Sequence, residues 1–155
     1  MDGMFAKAMD PHDVFYHNFY ELCPYLKFSH FMANQAILEA FKGQALVHVI
    51  DFNLMQGFQW PSLMQALALR PEGPPAHLRL TAIVPPQPEA RGALREVGSN
   101  LAEMAKFFGL EFSFKEVVST CLEDGKPWRF EVQPEEALAI NTIFQLHRFL
   151  YEGAP

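Results

Sequence analysis

Apolar, β-rich stretches alternate with helical stretches along this 155-residue chain, and this alternation constrains its fold more than any other feature. The segments ALVHVIDF (45–52), HLRLTAIV (77–84) and LEFSFKEVV (110–118) have the length and composition of interior strands. The segments between them, SLMQALALR (62–70) and EARGALREVGSNLAEMAKFFG (89–109), have apolar residues at helical spacing. Strands separated by helices are typical of a parallel sheet with right-handed crossovers. The sequence therefore predicts an α/β fold with helices flanking a parallel sheet.

Two helical segments precede this alternation. The first, HDVFYHNFYELCPYLKF (12–28), is expected to end at Pro24, because proline interrupts helical hydrogen bonding. Its apolar residues at helical spacing are Phe15, Phe19 and Leu22. The second, FSHFMANQAILEAFKG (28–43), is expected to stop at Gly43. The apolar residues expected near one of its faces are Phe28, Phe31, Ile37, Leu38 and Phe41. We expect the two helices to cover the flank of the first strand.

The first segment is also unusually aromatic. It has more apolar surface than a lone helix can hide, so we expect it to dock on the core or on another chain. The aromatic residues concerned are Phe15, Tyr16, Phe19 and Tyr20, together with Phe5 before the segment.

A strand, EALAIN (136–141), and a helix, TIFQLHRFLY (142–151), are expected after the turn-rich connection CLEDGKPW (121–128). A sheet whose last strand is followed by a single helix normally continues. We therefore expect a piece of a larger domain, in which one sheet edge lacks its neighbouring strand.

Composition and charge exclude several classes of function. The net charge is −6, and the twelve Lys and Arg residues are scattered, without the basic stripe that grips DNA phosphates. Direct nucleic-acid binding is therefore not expected, whereas a basic protein partner is compatible. No apolar run approaches the roughly 20 residues of a membrane span, and we expect an intracellular protein without a membrane segment. The two cysteines, Cys23 and Cys121, are expected to be free thiols.

The turn after the first strand, DFNLMQGFQW (51–60), is a poor nucleotide-binding loop. Dinucleotide sites use several glycines there, because open backbone must approach the phosphates. This turn has only Gly57, among the bulky Leu54, Met55 and Phe58. The second strand ends in AIVPP, without the carboxylate that would hold a ribose. We expect no cofactor and no catalysis here. An S-adenosylmethionine-dependent methyltransferase-like enzyme and a pseudoenzyme that binds a small ligand remain the alternatives.

Individual polar residues also give no indication of a catalytic or metal-binding site. Asp51 is expected to hydrogen-bond the backbone of its own turn in preference to a ligand. His48, in the middle of the strand, is expected to be a satisfied core imidazole rather than a catalyst. Asn34 and Gln35 are expected to be exposed or locally bonded amides. The six histidines form no H-x₃-H pair, so no metal site is expected.

Long stretches of the chain resemble a known plant family. CPYLKFSHFMANQAILEAFKG (23–43), VHVIDFNLMQGFQWPSLMQALALRPEGPP (47–75) and LRLTAIVPPQPE (78–89) resemble the middle of the GRAS domain, most closely that of the DELLA subgroup. VHVID stands where the family has its VHIID motif. The resemblance covers nearly everything from Asp13 onward. It departs from the usual DELLA pattern TGIGPP at Ala82 and Val84.

The resemblance implies an incomplete GRAS domain, with a Rossmann-like, methyltransferase-like sheet. It also implies a division of the chain into four motif regions. These regions are a helical segment that ends the first leucine-rich region (1–43), the VHIID region (44–90), the second leucine-rich region (91–118) and the start of the following strand–helix portion (119–155).

The resemblance further implies a non-enzymatic transcriptional regulator in the nucleus, a DELLA-like repressor in gibberellin signalling. Its partners would be transcription factors and other regulatory proteins, and the sequence leaves homo- or hetero-oligomer formation open. The motif residues that we expect to support a partner surface are Val47, His48, Val49, Ile50, Asp51, Gln56, Gly57, Gln59, Trp60 and Pro61.

Overall fold

Four helices and four strands make up the part of the chain that the computed structural model describes, residues 11–52, 54, 57–84, 88–118 and 130–143. In chain order they are α1 (Pro11–Leu22), α2 (Pro24–Ala40), β1 (Leu46–Asp51), α3 (Trp60–Ala68), β2 (His77–Val84), α4 (Pro88–Phe108), β3 (Phe112–Val118) and β4 (Ala137–Asn141).

The four strands form one parallel sheet in the order β3-β2-β1-β4. In register, Asp51 at the end of β1 lies between Ala82 of β2 and Asn141 of β4. The chain moves outward from β1 to β2 to β3 and then returns to the opposite side of β1. The carboxyl ends of β1 and β4 therefore form a topological switch point, the place where open α/β sheets bind their ligands.

The two faces of the sheet differ in character. Because strand side chains alternate, Val47 and Val49 of β1 face one side, and His48 and Ile50 face the other. The first side packs against α2, α3 and α4 in the main hydrophobic core. Ile50 belongs to a smaller cluster with Val117 and Phe130. The completely or almost completely buried apolar residues of the main core include Phe41, Val47, Val49, Leu63, Met64, Leu67 and Ala82.

Arg70 fixes the turns at the amino ends of β1 and β2. Its guanidinium group donates hydrogen bonds to the backbone carbonyls of Phe41, Gln44 and Gly73. Nearby, the Glu72 carboxylate accepts a hydrogen bond from the backbone amide of Gly43, at 2.9 Å. One side chain thus satisfies carbonyls that follow the end of α2 and joins two turns that are distant in sequence.

The α/β architecture and the parallel sheet confirm the fold predicted from the sequence. The first helix ends at Leu22, before Pro24, as expected. Two details of the second helix, which was expected over 28–43, were wrong. Pro24 begins α2, at a first-turn position where its missing N–H costs no hydrogen bond. Phe28 and Phe31 are 62% and 58% exposed, so they do not share the buried face of Ile37 and Phe41. The segments 121–128 and 144–151, with Cys121 and most of the expected last helix, lie outside the described residues.

No helix in the described ranges combines the length and apolar character needed to cross a membrane.

Two glycines of α4 provide a matched test of the packing between this helix and β3. A Cβ on Gly98 would lie 2.4 Å from the Phe114 ring, whereas a Cβ on Gly92 would meet nothing within 4 Å. We expect Gly98→Ala to lower the free energy of unfolding by about 1–3 kcal/mol through overpacking. Gly92→Ala is expected to raise it by about 0.5–1 kcal/mol, because alanine favours the helix. Urea denaturation measures both. Equal effects of the two substitutions would contradict this close approach.

Candidate functional site

The candidate site is the topological switch point, where the carboxyl ends of β1 and β4 meet. Asp51 and Asn141 are register partners there, and they are only 1% and 6% exposed. Gln59, immediately before α3, is 5% exposed, and Asn34 of α2 is 6% exposed. Four polar side chains from four different segments are therefore buried together at the place where a Rossmann-like protein would hold its ligand.

Hydrogen bonds among these side chains join all four segments. Asn141 Nδ2 donates to Asp51 Oδ1 at 2.9 Å and to Gln59 Oε1 at 3.0 Å. Gln59 Nε2 donates to Asn34 Oδ1 at 3.0 Å and lies 3.4 Å from Asn141 Oδ1. Asn34 Nδ2 donates to the Gln59 carbonyl at 3.0 Å. We call Asn34, Asp51, Gln59 and Asn141 the polar network.

Trp60 attaches α3 to the polar network. Its indole Nε1 donates to Asp51 Oδ2 at 3.2 Å, and its ring is 2% exposed within the main core. Both oxygens of Asp51 thus accept hydrogen bonds from buried side chains. Buried polar groups that bond one another in this way avoid the cost of unsatisfied desolvation, and they fix the arrangement of the segments that carry them.

The turn between β1 and α3 is folded against α4. The Gly57 amide donates to the Leu54 carbonyl at 2.8 Å, and the Trp60 amide bonds the Gly57 carbonyl at 3.2 Å. Gly57 has φ 72°, which favours glycine, and a Cβ there would lie 2.7 Å from Val97 Cγ1. Leu54 is 5% exposed and belongs to the core. The backbone that would approach a phosphate is therefore covered by side chains of the protein.

Helix α1 packs on this turn through aromatic rings. The Phe58 ring stacks on Tyr20 with a centroid distance of 4.9 Å, and it meets His17 edge to face at 5.8 Å. His30 Nδ1 of α2 lies 3.1 Å from the Tyr20 hydroxyl. Burial lowers the pKa of His30 and raises the pKa of Tyr20, so both groups are neutral at pH 7. The turn therefore supports the α1–α2 pair.

The described residues at the switch point show no group arranged to bind a nucleotide or a metal ion. The Asp51 carboxylate is engaged by Trp60 and Asn141, and β2 ends in a buried valine, Val84, rather than in an acid. Within the described ranges, no group of three or more His, Cys, Asp or Glu residues could hold a metal ion. A void of about 10 Å³ lies deep in the core against Val49 and Trp60, too small and too apolar to serve as a ligand site.

The structure separates the predicted motif residues into several groups. Val47 and Val49 contribute to the main core, and Ile50 contributes to the smaller cluster on the other face. Asp51, Gln59 and Trp60 meet at the switch point, and Pro61 lies half-buried in the first turn of α3. Gln56 lies outside the described residues.

His48 is a buried core imidazole, as expected, but it is not fully satisfied, because its Nδ1 has no hydrogen-bond partner among the described residues. It is fully buried, and its Nε2 lies 2.8 Å from Thr81 Oγ1. It lies on the face of the sheet opposite to Val47 and Val49, because strand side chains alternate.

Asn34 was predicted wrongly. It is not an exposed or locally bonded amide but a buried one, whose partner Gln59 is 25 residues away. Its position three residues before Ile37 and seven before Phe41 places it on the buried face of α2, a signal that could have identified it. Gln35 is exposed, as expected. Asn141 was not singled out, although it ends a strand at the sheet edge where ligand-binding residues cluster.

Comparison with known proteins identifies the family. A model of the GRAS domain family matches residues 5–155. The chain belongs to this family. Protein SLENDER RICE1-LIKE 1 of Oryza sativa subsp. japonica is 57% identical over 143 residues, which cover 92% of this chain and 29% of that protein. The DELLA protein GAI of Solanum lycopersicum is 58% identical over 140 residues, which cover 89% of this chain and 24% of that protein.

A solved structure supports the same assignment. The crystal structure of SCL7 in Oryza sativa matches with a TM-score of 0.74 and 38% identity, over 81% of this chain and 35% of that chain. The resemblance to DELLA-type GRAS proteins is thereby confirmed, as is the fold. This GRAS chain spans about a quarter of the length of its curated relatives, from 24% to 29% in the two described above.

The stability of the polar network can be tested at Gln59. Replacement by Ala removes partners from both Asn34 and Asn141 and leaves their buried polar atoms unsatisfied. We expect Gln59→Ala to lower the free energy of unfolding by about 2–4 kcal/mol, as one to three kcal/mol is typical for each unsatisfied group. Gln65→Ala, at an exposed amide of α3, is the control and is expected to change it by less than about 0.5 kcal/mol. Similar values for the two variants would argue against the network.

Proposed function

We propose that this GRAS chain is a non-enzymatic transcriptional regulator that acts through protein–protein contacts, as a DELLA-like repressor in gibberellin signalling. One observation carries the proposal: the switch point of the sheet is filled by the polar network and by the turn that packs on α4. The crevice that serves catalysis in Rossmann-like enzymes is used here to join β1, β4, α2 and α3.

The exposed face of the α1–α2 pair supports a function in protein binding. Leu22 and Tyr25 are 81% and 80% exposed, and six further large apolar residues of the pair exceed 40%. A single exposed apolar residue is ordinary, but eight of them on two consecutive helices are typical of an interaction surface. We call this set the aromatic surface. Its members are Val14, Phe15, Phe19, Leu22, Tyr25, Phe28, Phe31 and Met32.

The motif residues connect the filled crevice to the aromatic surface. Gln59 holds α2 through Asn34, and Phe58 holds α1 through its stack on Tyr20. The role that we assign to the motif, from Val47 to Asp51 and from Gln56 to Pro61, is to build the turn and the start of α3 that support a partner surface. The polar network would then act on partner binding indirectly, by fixing the orientation of both helices.

Transcription factors and other regulatory proteins are the partners that we propose, and the nucleus is the proposed location. Both follow from kinship with the DELLA proteins. The net charge of −6 favours basic partners and disfavours direct contact with DNA. Association with a second copy or with a related chain would use the same kind of apolar contact.

We also retain the four motif regions, 1–43, 44–90, 91–118 and 119–155, as a proposal. The boundary at residue 90 falls inside α4, which begins at Pro88. The regions would therefore be sequence motifs within one fold and not separately folding units.

The rival function is that of a methyltransferase-like enzyme, or of a pseudoenzyme that holds a small ligand. Titration calorimetry of the purified chain with S-adenosylmethionine and S-adenosylhomocysteine separates these functions. We expect no saturable heat, because Asp51 and Gln59 are engaged by buried side chains and Val97 covers the Gly57 backbone. Native mass spectrometry is expected to show the mass of the chain alone. Micromolar binding of either compound, or a retained ligand, would overturn the non-enzymatic proposal.

The aromatic surface can be tested in plant protoplasts that carry a gibberellin-responsive reporter. We expect Tyr25→Ser combined with Phe28→Ser to reduce repression severalfold at equal protein level and equal melting temperature, since both side chains are largely exposed. Phe107→Ser is the matched control, an 84% exposed aromatic on α4 outside this surface. It is expected to retain repression. Equal loss in both variants would point to general surface hydrophobicity, and no loss in either would contradict the proposal.

A further inference from the structure

A short segment, Phe130–Glu136, crosses the sheet face opposite the helices, and we call it the strap. Phe130 is 8% exposed and packs with Ile50 and Val117. Lys115 Nζ of β3 pairs with Glu131 Oε1 at 2.7 Å, at an exposed position. The strap leads directly into β4 and therefore fixes the position at which that strand begins, Ala137.

Arg79 of β2 fastens the strap at both of its ends. Its guanidinium group contacts the carbonyl of Glu131 at 3.1 Å and that of Phe130 at 3.5 Å. Its Nη1 also donates to both carboxylate oxygens of Glu136, at 2.7 and 2.9 Å. The Glu136 side chain is 4% exposed and accepts a further hydrogen bond from the Gln133 amide at 2.9 Å. A buried charge is thus satisfied by one cation and one backbone donor.

His48 of β1 lies beside Glu136 and is the third member of this cluster. Its Nδ1 lies 3.4 Å from Glu136 Oε2 but makes no hydrogen bond of acceptable geometry. Its other nitrogen is within hydrogen-bond distance of Thr81. The imidazole therefore lies beside a carboxylate that Arg79 already neutralises, in a position with no exposure to solvent.

We propose that His48, Arg79 and Glu136 form a proton-sensitive clasp that holds the strap against the sheet. A proton added to His48 places a second cation beside Glu136, and this cation competes with Arg79 for the carboxylate. Arg79 also holds the strap carbonyls, so a weaker pair with Glu136 loosens the strap. Among the residues that the structure describes, the charged groups that face the cluster are Arg79 from β2, Lys115 from β3, and Glu131 and Glu136 from the strap.

The pKa values of the cluster support this direction. Burial is the largest cause that lowers the pKa of His48, and Arg79 lowers it further, while Glu136 opposes both. Burial raises the pKa of Glu136, but the Gln133 amide and Arg79 together bring it below the ordinary value. Both groups are therefore harder to protonate in the folded chain than in the unfolded chain.

The consequence for stability has a definite sign. Because the pKa of His48 is lowered from 6.5, the unfolded chain takes up the proton first as the pH falls. The contribution of His48 to stability is complete above about pH 6.5 and is lost as the pH falls below it toward the folded pKa. Glu136 acts in the same direction at lower pH, below its ordinary value of 4.5.

Nuclear magnetic resonance of the unmodified chain tests the clasp directly. We expect the His48 imidazole to titrate below pH 6.5, and we expect the Gln133 amide signal to shift over the same pH range, because its acceptor is Glu136. A His48 pKa at or above 6.5 would overturn the proposal. A titration of His48 without any response from Gln133 would do so as well.

Urea denaturation between pH 7.5 and 5.5 provides the second test. As the pH falls from 6.5 toward the folded pKa of His48, the unfolding equilibrium constant is expected to increase by up to about tenfold per pH unit. His48→Gln should flatten this dependence. His77→Gln, which replaces the imidazole of the first residue of β2, outside this cluster, is the matched control. His30 contributes equally in both variants. Identical pH dependence in the two variants would refute the clasp, and the resonance experiment remains decisive if His48→Gln fails to fold.

Discussion

The requirement that buried polar groups form hydrogen bonds determines how the chain is arranged at the switch point, where β1 and β4 end. Asp51 lies at the end of the central strand with 1% exposure, in a position where water cannot solvate its charge. Its carboxylate is compatible with burial because Trp60 and Asn141 donate to it, and Asn141 is in turn shared with Gln59. Each donor belongs to a different segment. The turn, the edge strand and helix α3 are thus positioned by one carboxylate.

The two faces of the sheet reflect the direction of the chain crossings. Helices α3 and α4 connect strands that advance to one side of β1, so both lie on the same face and share its apolar core. The connection to β4 reverses this direction, and its described part, the strap, covers the other face. That face contains the buried His48, Arg79 and Glu136 cluster beside a small apolar cluster. Apolar packing stabilises the helix side of the sheet, whereas ion pairs and hydrogen bonds to charged groups hold the strap on the other side.

The sequence predicts the sheet better than it predicts the site. The β2 segment was bounded correctly, and the other described strands lie within the segments expected for them, since runs such as HLRLTAIV suit only an interior strand. The absence of a glycine-rich turn also indicated correctly that the turn is crowded. What the sequence could not give was the pairing of Gln59 with Asn34 and with Asn141, because these bonds join residues 25 and 82 positions apart. Polar residues have no periodicity that reveals distant partners. The aromatic periodicity of α1 and α2 was detected, but periodicity alone could not show that Phe28 and Phe31 face solvent.

The close approach of Gly57 to Val97 limits how easily this turn could be changed into a nucleotide-binding turn. A nucleotide-binding turn needs free space above its backbone, and here that space holds a valine from a different secondary-structure element. Restoring the space would require a smaller residue on α4, removal of Leu54 from the core, and new partners for Asn34 and Asn141. Each change alone is expected to destabilise the protein, because it removes buried packing or leaves a buried amide unsatisfied. A nucleotide-binding turn could therefore be obtained from this architecture only by several substitutions made together.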